Sequence, residues 1–118
     1  MPGKKATFRG VNVDLNNYPG AYSRYVELAG NELLHPEYGV GAKDLLNQVV
    51  SGEHYLSDIY NQGTDGADGT KAEMIDAILT DYRRLAREQV LEEFPEINDE
   101  IEDFYQKQQD ILAGIEGQ

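Results

Sequence analysis

Between Met74 and Phe94 the apolar residues recur at helical spacing: Met74, Ile75, Ile78, Leu79, Tyr82, Leu85, Ala86, Val90 and Phe94. A stripe that wide has to be covered, so this segment commits the chain to a helical core. Arg83, Arg84 and Arg87 fall toward the other side. Ahead of the stripe, Thr70 and Glu73 have the spacing of a capping box, each side chain meeting the other's backbone N–H. Pro95 has no N–H to donate and ends or kinks the helix after Phe94.

Five weaker patterns flank this helix. "NNYPGAYSRYVELAGN" predicts a helix with Pro19 at its first position and Gly30-Asn31 as its stop, or one more turn through Leu34. "GAKDLLNQVVSG" predicts a short helix burying Leu45, Leu46, Val49 and Val50. "SGEHYLSDIYNQG" predicts another, with Tyr55, Leu56, Ile59 and Tyr60 as its stripe and Ser51 as its cap. From about Ile97, the positions Ile97, Ile101, Phe104, Ile111 and Ile115, with Gln108 between them, form a heptad seam with one polar layer. That seam packs either on its own domain or on another chain. In "TFRGVNVDL", Phe8, Val11, Val13 and Leu15 roughly alternate, as in an extended arm or one short strand. With no second strand evident, its backbone lies over helices or pairs with another chain. The expected fold is therefore all-α. An extended basic arm (residues 1–17) precedes a helical core (18–94), and an acidic C-terminal helix (95–118) offers an oligomer seam. Four to five helices are expected in all.

Charge is unevenly spread. Residues 1–20 carry Lys4, Lys5 and Arg9 against Asp14, whereas residues 70–118 carry thirteen acidic and five basic residues; the whole chain is −12. Such a body repels a phosphate backbone, so direct nucleic-acid binding is not expected. It suits solubility, a basic protein partner, or a decoy that imitates DNA charge. No apolar run reaches the length of a membrane span. "MPGKKATF" has lysines but no apolar segment after them, so a cytoplasmic origin is expected rather than secretion.

Candidate chemistry centres on "QGTDGADGTKAEM", Gln62 to Met74. As a phosphate loop it fails, because Asp68 stands where the second glycine belongs. As a calcium loop it fails in both registers, since the twelfth position is Ala72 or the third is Ala67. Looser cation binding by Asp65 and Asp68 remains open beside the simpler reading of a turn and a helix cap. His35 and His54 lie in no metal-ligand spacing, no serine sits in a nucleophile elbow, and there is no cysteine. The expectation is a non-enzymatic chain with no cofactor, metal or catalytic residues. Eight tyrosines and no tryptophan serve a small core or a protein interface equally well.

Three blocks carry a resemblance. They are "FRGVNVDL", then "YSRYVELAGNELLHPEYGVGAKDLLNQVVSGEHYLSDIY", then "DGADGTKAEMIDAILTDYRRLAREQVLEEFPEI". Together they resemble segments of bacteriophage and prophage virion structural proteins, in tails or inside particles. Ala67 and Thr70 stand where that pattern has a proline and a second glycine. The resemblance implies a structural or assembly role in the virion, reached from the host cytoplasm. It implies contacts with other virion proteins or with further copies of the chain, and no active site. Phe8, Val11 and Val13 are then expected to anchor the arm, and Ile101, Phe104 and Ile111 the C-terminal seam. The alternative is an acidic DNA mimic that inhibits a host or defence enzyme.

Overall fold

The structure is a computed structural model and describes residues 4–63 and 69–116. It is mostly helical, but a small antiparallel sheet accompanies the helices, so the fold is not a pure all-α bundle. The described elements are β1 (Lys5–Phe8), β2 (Val11–Asp14), α1 (Ala21–Glu27), α2 (Ala42–Ser51), α3 (Ser57–Gln62), α4 (Thr70–Glu93) and α5 (Pro95–Glu116). The chain divides into two compact units. One contains Met1–Tyr22 with Arg87–Gln118, the other Ser23–Ala86.

In the first unit the expected arm is a hairpin. β1 pairs with β2 in the register Phe8↔Val11 and Ala6↔Val13. The two-residue turn, Arg9 and Gly10, has φ of 51° and 82°. Positive φ at both central residues is what a type I′ turn requires and what the right-handed twist of paired strands favours. The spacing from Phe8 to Val11 is odd, and a single strand would send the two side chains to opposite faces. The turn puts them side by side, and Phe8, Val11, Val13 and Leu15 are all buried. β2 packs on α5, which contributes buried Ile97 and Ile101.

Pro19 does not open a helix. It precedes Gly20 (φ 87°), and the Ala21 N–H donates to the Tyr18 carbonyl at 3.0 Å. That is a type II turn with proline and glycine at its two central positions. α1 begins only after it. Pro95 instead occupies the first position of α5, with only Phe94 between it and the end of α4, where its missing N–H costs nothing.

In the second unit, Leu45 and Val49 of α2 pack with Ala42, Ile78 and Tyr82. A wide helical turn, Leu28–Glu32, continues α1 through Gly30-Asn31 and closes with a Leu33 N–H to Leu28 carbonyl bond of 3.2 Å. Asn31 then caps α2: its side-chain oxygen accepts from the Asp44 N–H at 3.1 Å. Gly41 makes this approach feasible, because a Cβ there would lie 2.1 Å from the Asn31 carbonyl oxygen. α2 ends at Gly52 in the left-handed conformation (φ 89°), the usual helix stop.

Several expected side-chain placements change. Val50, Tyr55 and Ile59 are exposed rather than buried. α3 starts at Ser57, so Tyr55 precedes it, and Ser51 is the last residue of α2, donating to the Gln48 carbonyl. Thr70 is the first helical residue of α4, and the Glu73 N–H donates to the Gly69 carbonyl at 3.2 Å. The cap position therefore falls on Gly69, one residue earlier than the Thr70–Glu73 box placed it. The glycine and aspartate loop itself, with Asp65, Asp68 and Ala67, lies outside the described residues.

Candidate interaction surface

The residues expected at an interface separate into two groups. Phe8 (1% exposed), Val11 (4%), Val13 (0%) and Ile101 (2%) are core residues of the first unit. They hold the hairpin on α5 and present nothing to a partner. Phe104 (41%) and Ile111 (57%) are exposed, and Tyr105 and Leu112 beside them are exposed as well. The heptad seam is thus split. Its first turns, Ile97 and Ile101, point into the unit, and the turns beyond Ile101 are exposed. Every residue from Glu102 to Gly114 is exposed.

Polar contacts fix where α5 leaves the unit. The Arg9 guanidinium donates to the Asn98 side chain at 3.0 Å, and the Tyr105 hydroxyl donates to the Arg9 carbonyl. Two residues one heptad apart on α5 therefore grip the hairpin turn. The Tyr18 hydroxyl donates to Glu100. Burial and this carboxylate partner, in that order, push the Tyr18 phenol up to about 12. Between the turn and α5 lies an open cleft of about 460 Å³. Gly10, Val11 and Phe104 supply its apolar wall, with Glu100, Asp103 and Lys107 around it. Lys107 is engaged with Asp103 at 3.0 Å.

The second unit holds the other polar cluster. His35 is buried. Its Nδ1 accepts from the Glu37 N–H at 3.0 Å, so the proton sits on Nε2, which donates to Asp81 at 2.6 Å. This hydrogen bond, then a second from Arg84, holds the Asp81 carboxyl below its ordinary value. The ring packs against Tyr38 and Tyr82 at centroid distances of 4.5 and 5.2 Å. The Tyr82 hydroxyl donates to the Val40 carbonyl at 2.6 Å, and burial pushes that phenol up to about 12. Both imidazole nitrogens are committed within the unit, so His35 works as a tie between the 35–40 loop and α4. His54 is likewise local: its Nδ1 accepts from the Leu56 N–H at 3.1 Å and its ring stacks on Tyr55. Among the described residues no group of three or more His, Cys, Asp or Glu is placed to hold a metal. None of the described helices is long and apolar enough to cross a membrane.

Sequence reasoning missed Tyr105 and Leu112 because both fall beside the heptad seam rather than on it. Their repeat of seven, shared with Phe104 and Ile111, is the signal that would have found them. No family model matches the chain, and neither curated proteins nor solved structures give a match.

Proposed function

We propose that the chain is a non-enzymatic bacteriophage virion structural or assembly protein that works through protein contacts made by α5. One observation carries this reading: Glu102 to Gly114 is helical yet exposed throughout, and it carries Phe104, Tyr105, Ile111 and Leu112 on its surface. A helical segment of about a dozen residues is marginal in water on its own propensity. Large apolar residues grouped on such a segment fit a surface that is covered in an assembly. The resemblance of the sequence to virion proteins supplies the kind of assembly.

Mass spectrometry of gradient-purified particles from the source tests this. The expected result is this chain in fixed ratio to a capsid or tail protein. Its absence from particles, with the chain abundant in the induced cell, would reject the virion role and favour the acidic decoy.

A further inference from the structure

We infer that the cleft beside Phe104 and the adjoining face of α5 receive a basic amphipathic helix from a different protein. This rests on the reading of α5 as a contact surface and names its partner's chemistry. The apolar ground is continuous. Phe104 walls the cleft behind the hairpin turn, and Ile111 stands seven residues further along the same helix face, about 10 Å away at the helical rise. Leu112 widens the strip and is 57% exposed. That span suits roughly two turns of a partner helix laid along it.

Charge selects the partner. α5 carries seven carboxylates and one lysine, and that lysine is already paired with Asp103. Glu100 and Asp103 border the cleft, and Asp110 continues the row beside Ile111. Two copies joined along this face would set like charges against one another. The chain's own cations do not solve this. Lys5 and Arg9 belong to a hairpin whose apolar residues Phe8, Val11 and Val13 are buried. Arg83 and Arg87 belong to α4, whose Tyr82, Ala86 and Val90 are buried. α1 and α2 combine a cation with exposed apolar surface, but each shows one large exposed apolar residue, Val26 beside Arg24 and Val50 on the helix of Lys43, too little to cover Phe104, Ile111 and Leu112 together. A basic amphipathic helix offers both: its apolar residues cover Phe104, Ile111 and Leu112, and its Lys or Arg heads reach Glu100, Asp103 and Asp110. The cleft has room for one such long side chain, its stem against Phe104 and its head among the carboxylates.

The test uses the full chain and two synthetic peptides that share leucines at heptad spacing, one filled out with lysine and one with glutamate. Binding is followed by fluorescence anisotropy, with circular dichroism to check each variant's fold. The lysine peptide is expected to bind and the glutamate peptide not to bind. Phe104→Ser, and Ile111→Ser with Leu112→Ser, should each weaken binding about tenfold or more, the scale of losing one or two buried apolar side chains. Asp103→Lys with Asp110→Lys should weaken it further and flatten its salt dependence. Glu53→Lys with Asp58→Lys makes the same charge change on exposed residues of the other unit and should leave binding intact. Equal loss with that control pair, equal binding of both peptides, or binding of neither would overturn the inference. So would a concentration-dependent dimer that Ile111→Ser and Leu112→Ser dissociate, because the occupant would then be a second copy. Particle incorporation without peptide binding rejects this partner alone, and peptide binding without incorporation rejects the virion role alone.

Discussion

Single residues set the local tolerances. At Gly41 the backbone is ordinary (φ −76°), so the need for glycine is purely steric: the Asn31 backbone and side chain fill the space a Cβ would take. Gly41→Ala should cost about 2–3 kcal/mol, at the upper end of overpacking, with the α2 cap displaced. A lower urea midpoint at unchanged m-value would show it. Asp81 is a different case. Its carboxylate takes the proton-bearing nitrogen of buried His35, and truncation to alanine leaves that N–H without its acceptor, a loss of about 1–2 kcal/mol at neutral pH. Because the folded-state carboxyl is held below its ordinary value of 3.8, its contribution is complete above that pH. It fades as the pH falls through the folded value, since the unfolded chain takes up the proton first. Thermal melts below pH 4 should therefore narrow the gap between Asp81→Ala and the parent chain.

At the scale of elements, the hairpin and α5 depend on each other. Gly10 has φ of 82°, and a Cβ there would also press on the Tyr105 hydroxyl at 3.2 Å. Gly10→Ala should destabilise the protein by about 1–2 kcal/mol, the cost of a left-handed L-residue, read as a lower melting temperature. The outer half of α5 should behave in the opposite way. Its side chains are exposed, so ending the chain after Lys107 should change stability by no more than about 0.5 kcal/mol. On the virion role proposed above, the same truncation should abolish incorporation into particles, which co-purification from an induced culture would measure. Helix positions were legible from the sequence because periodicity reports burial: Ile78, Tyr82, Ala86 and Val90 lie four residues apart and are buried. The hairpin was not legible, because Arg9 is an unusual residue for positive φ and the usual asparagine-glycine or aspartate-glycine signal is absent. Only the odd spacing between Phe8 and Val11 betrayed the turn.

For the molecule as a whole, charge and buried phenols set the response to solvent. A net charge of −12 opposes compaction by self-repulsion, so added salt should raise the melting temperature by screening it. On the alkaline side, Tyr18 and Tyr82 keep their protons to about 12 against an ordinary value of 10.0. Below pH 10 both the folded and unfolded chains hold these protons. From 10 to 12 the unfolded chain releases what the folded chain keeps, so stability falls as the pH rises. Ultraviolet titration of the eight tyrosines should show a late-ionising fraction that disappears in denaturant.

The sequence by itself determined a mostly helical chain, the long α4 with its break at Pro95, and an acidic C-terminal helix. These follow from local periodicity, the missing proline N–H and formal charge, none of which needs a distant partner. Tertiary structure decided which half of a single heptad seam faces inward. Ile97 and Ile101 are covered because a hairpin from the other end of the chain packs on α5, whereas Phe104 only borders the cleft beside the hairpin turn and stays exposed, as does Ile111 further along. The same long-range pairing turned three expected arm anchors into core residues. A seven-residue repeat records which positions want cover, but what covers them depends on contacts between segments some ninety residues apart, as between Arg9 and Asn98.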